Sequence, residues 1–235
     1  MDFERKDFEE WLERATGHGR YADQDWVRRW KNGRVMVKQV FEPLSGEADN
    51  VQKKMTPWDL LMQNEVEMTR TTFHERKRND LIVIATLIDK LPNLGGICRT
   101  CEIFNASKLV VHEIKVREQG LFKSLSVNAE KWMPMEEVEE TSLPQYLLSL
   151  KQEGYTLLGV EQTASSKSLL GFQFPKKAVL LLGREKEGIP VELIHLLDDC
   201  IEIPQFGVTR SLNVHVSGAI LIWEFTKHAL QAAAK

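Results

Sequence analysis

Five short apolar runs recur through the last two-thirds of the chain: LIVIATLID (81–89), KLVVH (108–112), YTLLGVE (155–161), AVLLLG (178–183) and CIEIP (200–204). Strands that are apolar at nearly every position need cover on both faces, which a parallel sheet flanked by crossover helices provides. Segments with helical spacing lie near 93–105, 143–153 and 190–197, and a long final one covers about 211–231. A weaker strand is expected near 133–139. The alternation predicts an α/β fold, a parallel sheet with helices on both faces. Residues 1–79 lack such runs and are rich in charge. They read as an N-terminal extension, partly helical, before a domain at 80–235.

Bulk properties narrow the function classes. The chain has 235 residues and is 43% hydrophobic, enough for a full core. The formal charge is −3, so a nucleic-acid partner requires locally concentrated positive charge. Residues 26–38, WVRRWKNGRVMVK, hold five basic residues, no acidic one, and Trp26 and Trp30. That composition suits contact with RNA phosphates and bases. Two tryptophans packed inward behind a solvated basic face would look the same. A second basic cluster, His74–Arg78, precedes the first strand. There are three cysteines. Cys98 and Cys101 share a C-x-x-C spacing, but no second such pair completes a zinc site, so no metal is expected. Two small helix residues are the better reading. An odd cysteine count points to a reducing compartment, and no apolar stretch approaches the ~20 residues a membrane span requires. The expected protein is soluble and intracellular, cytoplasmic or nuclear, without a membrane partner.

Three segments carry chemistry. In LPNLGGICRT, Asn93 opens a helix after a strand, Gly95 and Gly96 permit close backbone approach, and Arg99 follows one and a half turns later. In LLLGREKEGIP, a buried strand ends at Gly183, a loop holds Glu185 and Gly188, and Pro190 suits the start of a helix. In IEIPQFGVTRSLNVHVSG, a strand ends at Pro204 and a long helix is expected from about Ser211, which would cap it, with Asn213 in the first turn. Taken singly, each segment also reads as an ordinary turn, cap or surface charge. No G-x-G-x-x-G loop with a ribose-binding acid is present, which argues against a Rossmann-type cofactor site.

Together and in this order, the segments resemble the motifs of the SpoU (TrmH-like) branch of the SPOUT RNA 2′-O-methyltransferases. The matching patterns are N-x-G-x-x-x-R (Asn93, Gly95, Arg99), G-x-E-x-x-G (Gly183, Glu185, Gly188) and I-P-x-x-G…S-L-N-V (Ile203, Pro204, Gly207, Ser211–Val214). The likeness covers about 80–232. It departs at Arg184, where the family usually has Asn. The resemblance implies a SPOUT fold with a C-terminal trefoil knot and S-adenosyl-L-methionine as cofactor. It also implies a homodimer through the knot region, in which the last helix offers Val216, Ile220, Trp223 and Leu230. Thr163, Gly183, Ile203 and Leu212 would line the cofactor pocket, Gly183 by leaving space. Arg99 would act at the ribose and its phosphate, with Asn93, Glu185, Ser211 and Asn213 as the remaining catalytic-site residues. The implied substrate is tRNA at guanosine 18 of the D-loop. A ribosomal RNA substrate, or a catalytically silent RNA-binding module, are the alternatives.

Overall fold

The computed structural model describes residues 78–209 and 211–233. The chain divides into two units, residues 1–77 and residues 78–235. The basic segment 26–38 and residues 74–77 of the second cluster lie outside the described residues. Arg78 belongs to the second unit: its guanidinium donates to the carbonyls of Ala106 (3.1 Å) and Trp132 (2.8 Å) and to the Glu102 carboxylate (2.8 Å).

The elements in chain order are β1 (Asn79–Ile84), α1 (Leu91–Ile103), β2 (Ala106–Val111), α2 (Gly120–Ser126), β3 (Met135–Glu137) and α3 (Leu143–Gln152). They continue with β4 (Thr156–Val160), β5 (Lys167–Ser168), β6 (Ala178–Leu182), α4 (Val191–Ile194), β7 (Asp199–Glu202) and α5 (Val214–Ala233). The strands form one sheet in the order β3-β2-β1-β6-β4-β7-β5, and every pairing is parallel. β6, late in the chain, is slotted between β1 and β4.

The period-2 alternation of strands builds a core on each face. Leu81, Val83 and Ala85 of the first strand region pack with Ile97 of α1, Phe122 of α2, and Leu221 and Phe225 of α5. Ile82 and Ile84 point the other way, to Leu143 and Leu147 of α3 and Leu193 of α4. Fully burying each such side chain stabilises the fold by roughly 1.5–3 kcal/mol. α5 returns from the β7 side of the sheet to pack on α1, β1 and β6.

The structure corrects several boundaries. The run 81–89 is strand only to Ile84; Ala85–Ile88 form a buried turn, in which the Ile88 amide donates to the Ala85 carbonyl at 3.0 Å. Burial demands apolar side chains there whether or not the backbone is extended. The segment 190–197 yields a helix of four residues, with Pro190 just before it. The final helix starts at Val214, three residues after the expected Ser211. α2 and β5 had no counterpart in the sequence reading.

Candidate active site

β6, β4 and β7 are neighbours whose ends lie in register, Val160 pairing with Leu182 and with Ile201. The chain therefore leaves the sheet side by side at Glu161, Gly183 and Ile203. In an open parallel sheet this carboxyl end is where ligands bind.

The middle loop is a tight hairpin. The amides and carbonyls of Arg184 and Gly188 bond reciprocally at 3.0 and 3.1 Å, and Gly188 sits at φ +73°, a conformation that favours glycine. A Cβ on Gly183 would lie 2.6 Å from the Gly188 carbonyl carbon and 2.7 Å from the Ile189 nitrogen. Gly183 is thus required by the return of its own loop. The expectation was that its missing side chain leaves room for a cofactor; the space beside it is taken by the Gly188–Ile189 backbone. Arg184, the departure from the family pattern, pairs with Glu140 and so ties the hairpin to the segment before α3.

Three of the five expected catalytic-site residues meet. Asn93, buried in the first turn of α1, donates from Nδ2 to Glu185 Oε1 at 2.8 Å. Asn213 donates from Nδ2 to Asn93 Oδ1 at 3.0 Å. The Asn213 Oδ1 accepts the amides of His215 (2.9 Å) and Val216 (3.4 Å), so Asn213 caps α5. The cap was expected at Ser211, which is instead exposed in the preceding loop. Nor does Asn93 open its helix: α1 begins at Leu91, with Pro92 in its first turn and Lys90 as the cap position. Freed from capping, the Asn93 amide bridges the hairpin and α5.

Arg99 stands apart. It is exposed on α1 and makes no hydrogen bond or ion pair among the described residues. Its neighbour Thr100 donates to the Gly96 carbonyl (3.0 Å) and lies 3.0 Å from the His215 imidazole. Burial holds His215 below the usual histidine pKa. Cys98 and Cys101 are buried in α1, and burial pushes the Cys98 thiol up to about 12, so the C-x-x-C pair is packing. Among the described residues, no cluster of three or more His, Cys, Asp or Glu is placed to hold a metal ion.

The remaining expected residues line the neighbouring loops. Thr163 belongs to the loop after β4, where its carbonyl accepts from Ser166 Oγ at 2.9 Å. Ile203 is partly buried against the core, while Leu212 is 40% exposed. The Thr86 hydroxyl, just past β1, is buried without a partner among the described residues. Two available apolar side chains, a glycine hairpin with backbone groups at hand and an unsatisfied hydroxyl at the same end of the sheet fit a nucleoside ligand. An open depression lined by Thr156, Leu158, Lys167, Leu170, Phe172 and Asp199 lies toward the amino ends of β4 and β7, away from these loops.

Residues 80–223 match the SpoU rRNA Methylase family. This chain belongs to that family. Among curated SpoU relatives, the mouse tRNA (guanosine(18)-2′-O)-methyltransferase TARBP1 is 44% identical over 96% of this chain. The Saccharomyces cerevisiae tRNA (guanosine(18)-2′-O)-methyltransferase is 41% identical over 78% of it. This chain spans only 14% and 13% of those two proteins. The SpoU fold is shared with the Aquifex aeolicus TrmH/SpoU tRNA modifying enzyme (TM-score 0.63, 24% identity, covering 72% of this chain and 86% of that one). It is shared as well with an AdoMet-bound rRNA methyltransferase from Sinorhizobium meliloti (TM-score 0.56, 21% identity, covering 66% and 60%). Asn93, Glu185 and Asn213 all lie within the matched residues. Glu161 and His215 were missed. A Glu just after an apolar strand reads as solvated, and a His among apolar residues reads as core.

Proposed function

We propose that this chain methylates the ribose 2′-hydroxyl of tRNA, at guanosine 18 of the D-loop, with S-adenosyl-L-methionine as donor. The observation that carries this reading is the Glu185–Asn93–Asn213 chain at the carboxyl ends of the strands, within a domain of the SpoU family. The names of the mouse and yeast relatives support tRNA guanosine 18 as the target.

When bound, the cofactor supplies an electrophilic methyl group on a sulfonium. The loops after Val160, Leu182 and Glu202 would hold it, with Ile203 and Leu212 against the adenine and Thr163 and backbone groups near Gly183 as polar partners. The ribose hydroxyl is a weak nucleophile until it loses its proton. A guanidinium at Arg99 would hold a phosphate by two hydrogen bonds and stabilise the developing alkoxide; it stays protonated and so has no lone pair to take the proton. The substrate phosphate beside Arg99 is the acceptor in this scheme. Glu185 Oε1 is committed to Asn93, which makes Glu185 a positioning group in this scheme. Ser211, exposed just before the α5 N-terminus, would contact RNA in this scheme.

The same proposal includes the trefoil knot. Its support is the late insertion of β6 and the return of α5 to α1. A homodimer through this region is supported by the apolar residues that α5 leaves exposed, Val216, Trp223 and Leu230; sedimentation at micromolar concentration giving only monomer overturns the dimer. The activity is tested by methyl transfer from labelled cofactor to unmodified tRNA and to ribosomal RNA, with the modified ribose mapped. Label at guanosine 18 of tRNA is expected. Label confined to ribosomal RNA overturns the substrate, and RNA binding without transfer overturns the enzyme.

A further inference from the structure

Glu161 is the first residue past β4, and its carboxylate reaches two loops at once. Oε1 accepts the amide of Gln162 at 3.0 Å, at the start of its own loop. Oε2 accepts the amide of Ile189 at 3.0 Å, where the Gly183–Gly188 hairpin returns. The approach is close enough that a Cβ on Gly188 would fall 2.2 Å from Oε2. The carboxylate therefore lies directly on the returning limb of the hairpin. On its other side the loop after β4 is fastened to β7, because Ser166 Oγ donates to Glu202 Oε2 at 2.8 Å. Two carboxylates thus tie the loop after β4 to the hairpin on one side and to the end of β7 on the other. A carboxylate suits the position since it accepts from two N–H groups and presents no donor of its own.

We infer that Glu161 is a positioning residue for methyl transfer. It sets the spacing between loop 161–166 and the returning limb of hairpin 183–189. This rests on the reading that these loops hold the cofactor. Because α1 and Arg99 are not part of the clasp, losing it weakens cofactor binding and leaves RNA binding alone.

The test uses the full chain with Glu161→Gln and Glu161→Ala. S-adenosylhomocysteine affinity is measured by calorimetry, tRNA affinity without cofactor by filter binding, and folding by thermal denaturation. Glutamine keeps the volume but turns an NH2 against one of the two amides. Both variants are expected to raise the S-adenosylhomocysteine Kd about tenfold or more, as an unpaired buried amide does. Their tRNA Kd is expected to stay within twofold of the parent. A folded Glu161→Gln protein with a parent-like cofactor Kd overturns the inference. So does an equal loss of cofactor and tRNA affinity, the mark of a general folding role. Should Glu161→Ala not fold, the Gln variant decides by the same criteria. A parent chain that binds no S-adenosylhomocysteine defeats the proposed function instead, so the two failures are distinct.

Discussion

The amide of Asn213 has its orientation dictated by α5. Its oxygen accepts two helix N–H groups, so its NH2 faces Asn93, whose own NH2 must then face Glu185. Asn213→Asp keeps the cap and suits the helix dipole, but sets a carboxylate against the Asn93 oxygen. Turning the Asn93 amide over only moves the conflict to Glu185. We expect methyl transfer to fall about 10–100-fold at pH 8, consistent with roughly 1–3 kcal/mol for an unsatisfied polar contact. Equal rates for variant and parent would disprove the linkage. Arg99 makes a separate case. If it serves the ribose phosphate, Arg99→Ala and Arg99→Lys lower single-turnover transfer by on the order of 10²–10³ with cofactor affinity retained. Near-parental turnover in Arg99→Ala would remove it from the mechanism. Gly183 fails for another reason: the side chain of Gly183→Val meets backbone atoms, and the protein should lose about 3 kcal/mol or more in denaturant unfolding.

The contact between α1 and α5 depends on a glycine and a neutral histidine. A Cβ on Gly96 would lie 2.5 Å from the His215 ring. Alanine favours a helix over glycine by about 1 kcal/mol, yet Gly96→Ala must displace the ring and with it the start of α5. The expected result is a net loss of about 1–3 kcal/mol that His215→Ala relieves in the double variant, and additive effects would refute the contact. His215 also gives a pH signature. Burial lowers its folded pKa below the ordinary 6.5, so the unfolded chain binds the proton more readily. Stability is then full above about pH 6.5 and declines as pH falls through the lower folded value. His215→Gln should flatten that part of the stability–pH curve. Elements like these were unevenly legible in the sequence. The central strands were plain because both faces are buried. α2 was not, because GLFKSLSVN is one short turn-rich stretch without two full periods, and β5 is only two residues long. Asn93, Glu185 and Asn213 stood out through motif spacing, whereas their mutual bonds, spanning 92 and 120 residues, are tertiary facts no local pattern encodes.

For the whole molecule, if the three loops from distant parts of the chain seat the proposed cofactor, binding is linked to global stability. At a concentration 100 times its Kd it should add about 2.7 kcal/mol and raise the thermal midpoint by roughly 5–10 °C. A midpoint unmoved by saturating S-adenosylhomocysteine would mean that these loops do not hold it. The place of β6 has a further result, for synthesis on the ribosome. β1 and β4 are both made before the strand that separates them, and each has an apolar edge with no mate until residues 178–182 emerge. At about 5–20 residues per second, the interval between the end of β1 and the start of β6 lasts roughly 5–20 s. Through that time the edge of β1 stays open, joined by the edge of β4 once residues 156–160 are made, inviting pairing with a neighbouring polypeptide. Shielding of those edges until residues 178–182 emerge is expected to favour correct pairing over aggregation.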